Sequence, residues 1–519
     1  MYKLLLCWRY LRTRYIALIC IVSVTLGVAT MIVVNSVMAG FTHEMQSRLN
    51  GMLGDLVIDC RSMDGAPDAA AHMQTIRRTV GDDVVGMSPT VNVPALLYFD
   101  VYGANGKRQS VTRQITLVGI DKSTYADVSE FGNYLQHPKN RDQLDFQLRE
   151  NGYDTIDHMA EDMSKVQPRK QMKSAGWGYR RYKSMIEKQH AAEAATKQPK
   201  AGDEKAEVNE PFDPFKAQAE ANGEAQGQEF DSAKEQHTGI VLGIGICGMR
   251  LANGSDHFLA LPGDDVKISF PTASMPPKAI SERYTIVDFY ESKMNEYDSN
   301  FVFVPIRSLQ ESRGLVDPTT GVGKFTSIQI KLKPGADANA IRDKLKSAFP
   351  QEFYMVSTWR DKQGPLLAAV QMETAVLNVL LFMIIAVAGF GILAIFYMIV
   401  VEKTRDIGIL KSLGASGRGV MGIFLTYGFS LGLVGAGAGF VIGWLFVRYI
   451  NEIADGLGRL TGQPVFDPSV YYFYKIPTIV QPFTVAWILA GAVLIAVMAS
   501  ILPARRAARL HPVRALRYE

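Results

Sequence analysis

The sequence predicts an integral membrane protein with four transmembrane helices and a large α+β domain between the first and the second of them. Two observations lead to this fold class. Four apolar runs, free of internal charges, each exceed the roughly 20 residues that a helix needs to cross a hydrocarbon core about 30 Å thick. A long, mostly polar stretch with strand and helix patterns separates the first two runs. We place the four spans at residues 15–42, 373–401, 419–447 and 481–504.

Basic residues indicate how these spans are oriented. The segments 1–14, 402–418 and 505–519 are rich in Lys and Arg, whereas the loop 448–480 balances its few basic residues with acidic ones. The positive-inside rule therefore places both termini and the 402–418 loop in the cytoplasm, and residues 43–372 on the other side. We expect a multi-pass protein of the inner (plasma) membrane with a periplasmic α+β domain. The first apolar run is too long for a cleaved signal peptide.

Two β-α-β patterns, far apart in the sequence, predict a split subdomain. One lies in residues 43–110 and the other in residues 324–360, and in each of them strand-like segments flank a segment with helical spacing. We expect both patterns to form one subdomain, with a second subdomain, residues 111–323, inserted between them. The strands expected in the inserted subdomain are Thr112–Ile120, Val241–Gly245, His257–Leu261, Asp265–Phe270 and Tyr284–Tyr290.

A polar insertion occupies residues 138–237 of this subdomain. It is rich in Lys, Glu, Gln and Ala, and aliphatic residues are sparse between Gly176 and Ser232. Such a segment buries too little apolar surface to offset the entropy lost on ordering. We expect it to be helical in part, over Asn151–Lys188, and then disordered. A flexible surface insertion is favoured over a dedicated binding arm.

Nucleotide-binding and metal-binding motifs are absent. Gly321-Val322-Gly323-Lys324 lacks the upstream glycine of a P-loop and is followed by Phe325, and neither H-E-x-x-H nor C-x-x-C occurs. No apolar run holds an internal Asp, Glu, Lys or Arg, the buried ionisable residues that an ion-coupled carrier needs. We therefore expect a non-catalytic chain without a metal or cofactor of its own. Whether Cys60 and Cys247 pair stays open, because spacing alone says nothing about proximity.

The 402–418 loop carries the most informative short pattern. Ile407, Leu410 and Leu413 recur every three residues, which predicts a short helix with a narrow apolar stripe. Asp406 suits its first turn, Lys411 its last turn, and Gly414 its end. Such a helix between two spans can dock in a groove of a cytoplasmic partner or lie on the lipid surface. The pattern alone does not choose between these alternatives.

Several motifs resemble a known family. The string Glu402–Ser416 and the basic segment Leu502–Arg517 resemble the FtsX/MacB-type ABC transporter permeases. Within that superfamily the chain is most similar to the LolC/LolE lipoprotein-releasing permeases. The motifs that carry this second resemblance are Asn35–Phe41, Leu117–Asp121, Asn295–Asp298 and Val470–Pro477. The superfamily resemblance covers nearly the whole chain except residues 138–237, in which we do not identify the hairpin with which that family engages a periplasmic carrier.

The resemblance implies a mechanism and its residues. Two permease chains, identical or different, would each bind a cytoplasmic ATPase, and the ATPase rather than this chain would bind ATP. The loop would be the coupling helix, with contacts from Glu402, Arg405, Ile407, Gly408, Leu410, Lys411, Leu413 and Gly414. In the third span, small residues at four- and three-residue spacing predict close helix packing. These are Gly428, Gly432, Gly435, Gly439 and Gly443.

Three functions are compatible with this class. The first is release of lipoproteins from the inner membrane for sorting to the outer membrane, with lipoproteins and a periplasmic carrier as partners. The second is MacB-like efflux or export with a periplasmic adaptor, and the third is FtsX-like regulation of cell-wall hydrolases. The formal net charge of +4 is explained by the basic flanks and does not indicate nucleic-acid binding. Membrane lipid is an expected partner of any such chain.

Overall fold

The computed structural model describes residues 15–52, 54–102, 108–159, 168–196, 230–250, 256–461 and 475–513. The chain divides into two compact units. The helical unit comprises residues 1–47 and 362–519, and the sheet domain comprises residues 48–361. Within the sequence motifs, Val470–Tyr474 and Arg514–Arg517 lie outside the described residues.

Helices and strands are numbered in chain order. They are α1 (Tyr15–Met52), β1 (Leu56–Cys60), α2 (Ala69–Val80), β2 (Val84–Tyr102), β3 (Arg108–Ile120), α3 (Pro138–Asp142), α4 (Trp177–Thr196), β4 (Thr238–Gly243), α5 (Ile244–Cys247), β5 (Gly248–Arg250), β6 (Asp256–Phe258), β7 (Asp265–Pro271), β8 (Ala279–Tyr290), α6 (Asn295–Asp298), β9 (Phe301–Pro305), α7 (Ile306–Arg313), β10 (Ser327–Leu332), α8 (Ala338–Ala348), β11 (Tyr354–Thr358), α9 (Trp359–Lys362), α10 (Gly364–Glu402), α11 (Thr404–Ser412), α12 (Gly417–Arg448), α13 (Ile450–Thr461) and α14 (Pro482–Arg509).

Among the residues described for the helical unit, four helices are long and apolar enough to cross a membrane. Their apolar stretches are Leu18–Gln46 in α1, Leu367–Glu402 in α10, Gly417–Arg448 in α12 and Pro482–Arg509 in α14. These stretches coincide with the four apolar runs of the sequence, and each extends past the predicted span at one end or at both. One apolar core holds the helices together, and it includes Val28 of α1, Phe396 of α10, Leu431 of α12 and Ala496 of α14.

The sheet domain is built on a nine-stranded sheet with the order β11-β1-β10-β2-β3-β9-β4-β8-β7. Neighbouring strands are antiparallel, except that β3 pairs with β9 and β4 with β8 in parallel. Strand β2, with 19 residues, connects the two parts of the sheet. Its first half pairs with β10 and its second half with β3. Because Leu96–Tyr98 of β2 also pair with β7, the strands from β2 to β7 in this order form a closed ring.

The two β-α-β segments lie side by side in this sheet. β1 lies between β10 and β11, and β10 pairs with β2. The helices α2 and α8 share a core with these strands, in which Ile76 of α2 and Leu345 of α8 are fully buried. Each helix begins at an aspartate that accepts backbone hydrogen bonds, Asp68 from Ala71 at 3.0 Å and Asp337 from Asn339 at 2.9 Å.

The described part of the polar insertion is packed, which corrects the expectation of a flexible surface segment for these residues. Tyr153, Met172 and Ala175 are buried in the second core of the domain, formed around strands β2, β3, β4, β7, β8 and β9. The helix runs over α4 rather than over Asn151–Lys188, and residues 151–159 are not helical. The buried residues are single apolar side chains in a polar sequence, so they leave no periodic pattern. Residues 160–167 and 197–229 lie outside the described residues.

A buried ionic cluster fastens the insertion to the end of β8. Both terminal nitrogens of Arg169 donate to the carboxylate of Glu291, at 2.8 and 2.9 Å. Lys293 pairs with Glu291 and with Asp157. Burial alone would raise the pKa of Glu291, but the charges of Arg169 and Lys293 lower it below its ordinary value. The insertion is thus held by paired charges as well as by apolar contacts.

Cys60 and Cys247 are both free thiols, so the pairing that the sequence left open is not formed. Burial raises the pKa of Cys60 to about 11 and also raises the pKa of Cys247. Unreactive, protonated thiols are the expected state of both side chains. Among the described residues, no group of three or more His, Cys, Asp or Glu side chains is placed to hold a metal ion.

Candidate docking face and helix-packing residues

The predicted short helix of the 402–418 loop is α11. It follows α10 after one residue, Lys403, whose ammonium pairs with Asp406 at 2.8 Å. It ends where Gly414 adopts a φ of 95°. Only glycine takes this left-handed conformation at no cost, and the backbone N–H of Ala415 then donates to the Leu410 carbonyl at 3.0 Å. The helix end therefore lies where the sequence places it.

The inner face of α11, formed by Thr404, Ile407 and Gly408, is buried against the helical unit. Ile407 is only 3% exposed and belongs to the same core as Val400 of α10 and Ala504 of α14. This corrects its assignment to an outward stripe with Leu410 and Leu413. A step of three residues falls about 60° short of a full helical turn, so residues 407 and 413 point about 120° apart.

The outer face of α11, formed by Ile409, Leu410 and Leu413, is exposed. Their exposed fractions are 43%, 41% and 80%. The charged residues Arg405 and Asp406 are exposed beside them. Sequence reasoning missed Ile409, although its four-residue spacing to Leu413 was a usable signal. Clustered apolar side chains with a charged rim are typical of a surface that a partner covers.

Lys411 joins α11 to the end of α14. Its ammonium group donates to the carbonyl oxygens of Ala508 and Leu510, at 2.8 and 2.6 Å. Gly417, the first residue of α12, lies so close to the Ala508 carbonyl that a Cβ there would be 3.1 Å from the oxygen. The preceding Ser416 is the N-cap of α12 and accepts from the Gly419 N–H at 3.1 Å. α11, α12 and α14 therefore meet at one place.

Two of the predicted packing glycines of α12 face α14. A Cβ at Gly428 would lie 2.6 Å from the hydroxyl of Ser500, and one at Gly432 would lie 2.8 Å from the Cβ of Ala496. Real Cβ atoms do not approach other atoms this closely, so both positions require glycine. The two helices are in near-backbone contact along this row.

The other three packing glycines of α12 face α1. Cβ atoms at Gly435 and Gly439 would lie 2.9 Å from Val24 and 2.7 Å from Val28, and one at Gly443 would be 3.2 Å from Ala29. A hydrogen bond from the Thr25 hydroxyl to the Gly435 carbonyl, at 3.1 Å, crosses the same interface. The glycine row thus serves two neighbours, α14 with its first part and α1 with the remainder.

A cavity of about 400 Å³ lies at the end of the helical unit opposite to α11. The C-terminal part of α1, the first turns of α10 and the first turns of α14 line it. Its apolar walls include Ile32, Val485 and Ile488, and its polar lining includes Asn35 and Gln371. Such an amphipathic cavity suits a ligand with both an apolar and a polar part.

Comparison with known proteins agrees with the resemblance in the last third of the chain. Residues 378–512, which contain α11, α12 and α14 and most of α10, match the FtsX-like permease C-terminal family. This part of the chain is therefore similar to the permeases of the FtsX type.

Curated relatives are similar to a larger part of the chain. The chain is similar to the lipoprotein-releasing system transmembrane protein LolC of Xylella fastidiosa, with 30% identity over 249 residues, 48% of this chain and 58% of the relative. LolC of Neisseria meningitidis is 28% identical over 283 residues, 54% of this chain and 65% of the relative. LolE of Haemophilus influenzae is 28% identical over 193 residues, which are 37% of this chain and 46% of the relative. The match thus spans less than two thirds of these relatives' length.

Proposed function

We propose that this chain is the membrane subunit of an ABC transporter, in which a separate cytoplasmic ATPase docks on the outer face of α11. The observation that carries the proposal is the exposure of Ile409, Leu410 and Leu413 on a helix whose other side is buried. Lipid contact alone does not account for the charged rim of Arg405 and Asp406, because a short helix lying on lipid places its charges away from the apolar face. The ATPase would bind ATP, and this chain would do no chemistry of its own.

The proposed topology determines on which side of the membrane the ATPase binds and on which side the sheet domain moves. Basic residues in the loop of α11 and beyond α14 favour the cytoplasm for that end of the helical unit. The sheet domain then lies on the periplasmic side of the inner membrane. ATP-driven movement of the ATPase would pass through α11 and reposition the sheet domain without any solute crossing the membrane. Docking residues offered by the loop are Glu402, Arg405, Leu410, Leu413 and the newly included Ile409.

We propose that the ATP-driven movement of the sheet domain releases lipoproteins from the inner membrane. The similarity to LolC and LolE supports this function, since those relatives belong to lipoprotein-releasing systems. The amphipathic cavity between α1, α10 and α14 offers apolar walls for acyl chains and a polar lining for the group that joins them to protein. A second permease chain and a periplasmic carrier that accepts the lipoprotein complete the proposed system.

Co-purification and reconstitution test the two levels of this proposal separately. The tagged chain, extracted in mild detergent from its own membranes, is expected to bring down an ABC ATPase. If no ATPase is recovered under conditions that keep the chain monodisperse, the whole proposal is contradicted. The purified complex is then placed in vesicles with a triacylated, fluorescent peptide, and ATP-dependent transfer of the peptide to a soluble acceptor is measured. An active ATPase complex without transfer would restrict the conclusion to a permease with another cargo, such as an exporter.

A further inference from the structure

α11 is attached to α10 and to α14 in different ways. Toward α10 it is connected by Lys403, by packing of Ile407 with Val400, and by a hydrogen bond from the Thr404 hydroxyl to the Val400 carbonyl at 2.9 Å. Toward α14 it is connected by Lys411, whose ammonium reaches the carbonyl oxygens of Ala508 and Leu510 at 2.8 and 2.6 Å. These carbonyls belong to the C-terminal end of α14, where a helix presents unpaired acceptors and partial negative charge. The hydrogen bonds are charge-assisted and thus stronger than neutral ones.

The same end of α14 is also tied to α12. Ala508 lies against Gly417 of α12, and deeper in the unit Gly428 and Gly432 of α12 touch Ser500 and Ala496 of α14. α14 has 28 residues and is therefore roughly 40 Å long. Its opposite end, with Val485 and Ile488, lines the amphipathic cavity. A movement of α11 that reaches the C-terminal end of α14 can thus be carried to the cavity along one continuous helix, which contains Pro503 about two turns before its end.

We propose that Lys411 is the positioning residue that makes α11 and α14 move together. A movement of the docked ATPase is then transmitted through α11 to α14 as well as to α10. The inference rests on the proposed function, because it assumes a partner on the outer face of α11. Lys411 is half-buried and points away from that face, toward α14. It therefore transmits the effect of docking without contributing to the docking contact itself.

The test compares Lys411→Met, which keeps the length and apolar stem of the side chain and removes the ammonium, with Lys411→Arg, which restores a cationic donor. Lys403→Met is the matched control, because the ion pair of Lys403 with Asp406 lies within the loop itself. Three quantities are measured for each variant of the full chain. They are hydrogen exchange of the backbone amides in residues 504–513, ATPase retained on the purified chain, and peptide transferred per ATP hydrolysed.

For Lys411→Met we expect faster hydrogen exchange of the backbone amides in residues 504–513 and ATPase retention within about twofold of the wild type. Peptide transfer per ATP hydrolysed should fall by about fivefold or more, which is the lower end of the usual coupling between two sites. Lys411→Arg is expected to recover most of the coupling, and Lys403→Met to leave exchange at α14 unchanged. Unchanged exchange together with unchanged coupling in Lys411→Met would overturn the proposal. So would loss of ATPase binding in parallel with coupling, because Lys411 would then be a docking residue.

Two further outcomes keep this inference separate from the proposed function. Absence of an ATPase from the wild-type complex contradicts the proposed function, whereas the exchange measurement still decides whether Lys411 holds α14. If Lys411→Met does not purify as a monodisperse chain, Lys411→Gln replaces it, since Gln retains a neutral N–H donor and is one bond shorter. Intermediate exchange and intermediate coupling are then expected, and wild-type values of both would contradict the proposal.

Discussion

Gly40 of α1 lies directly against the backbone of Pro477, so closely that a Cβ at position 40 would overlap the proline carbonyl and the nitrogen of Thr478. One turn earlier, the Ser36 carbonyl accepts from the Ile479 N–H at 2.9 Å. Asn451 holds the same segment from the other side, because its side-chain oxygen accepts from the Ile476 N–H at 2.8 Å. Two motifs that carry the sequence resemblance, Asn35–Phe41 and the end of Val470–Pro477, therefore meet in backbone contact beside the cavity, although they lie far apart in the sequence.

This contact predicts a strong effect of a single methyl group. Gly40→Ala is expected to destabilise the chain by about 1–3 kcal/mol, because the new Cβ must displace backbone rather than a flexible side chain. Gly437→Ala is the control, since a Cβ there meets nothing within 4 Å and alanine favours a helix. Thermal unfolding in detergent should show a lower melting temperature for Gly40→Ala alone. Equal melting temperatures for the two variants would contradict the close contact.

Asp288 in β8 predicts a pH dependence of stability. This fully buried carboxyl accepts from the Asn140 side chain at 2.7 Å and from the His137 N–H at 3.2 Å, and burial raises its pKa to about 7. In the unfolded chain its pKa is near 3.8. Between these values the folded state binds a proton that the unfolded state lacks, so this group's contribution to stability falls as the pH rises toward 7.

Replacing the carboxyl should remove this dependence. Asp288→Asn keeps an acceptor oxygen but cannot ionise, so its stability relative to the wild type is expected to be greater at pH 8 than at pH 5 by an amount on the order of 1–3 kcal/mol. The melting temperature of the full chain, measured at both pH values, checks this. Asp317→Asn is the control, because hydrogen bonds from Thr319 and Thr320 lower the pKa of Asp317 to about 2, so that this half-buried carboxyl stays ionised at both pH values. A stabilisation that is the same at both pH values would show that Asp288 does not titrate in this range.

Patterns that repeat were predictable from the sequence. The apolar runs identify the four described helices that are long and apolar enough to cross a membrane, and alternation such as that of Ile328 and Ile330 identifies the strands of the split sheet. Contacts made by single residues were not predictable. Tyr153 and Met172 are buried in the second core, but each stands alone in polar sequence. The sequence pattern likewise placed residues of the inner and outer faces of α11 in one stripe. A helix of nine residues is too short to distinguish a three-residue repeat from the helical period of 3.6 residues.

The proposed topology predicts labelling from opposite sides of the membrane. Single cysteines are introduced at Ser416, the exposed N-cap of α12, and at Ser347, exposed on α8 of the sheet domain, after the four native cysteines have been replaced. Ser347→Cys is expected to react with a membrane-impermeant maleimide in spheroplasts, and Ser416→Cys only after the membrane is permeabilised. Ser327, buried at 1% exposure, is unsuitable for this test. Equal labelling of both positions before permeabilisation contradicts the topology.

Leu410 is the residue on which the docking proposal can be tested most directly. It is 41% exposed on the outer face of α11, so Leu410→Asp is compatible with the fold of the free chain. Truncating a central interface residue costs about 2 kcal/mol or more, and burying an unpaired charge adds to this. We therefore expect ATPase association to weaken by roughly 30-fold or more. Ser416→Asp introduces the same charge six residues later, where aspartate is a good N-cap, and should change binding little. A pull-down at equal expression measures ATPase binding by both variants. An undiminished ATPase band for Leu410→Asp would contradict docking on the outer face of α11 and favour contact of this face with lipid.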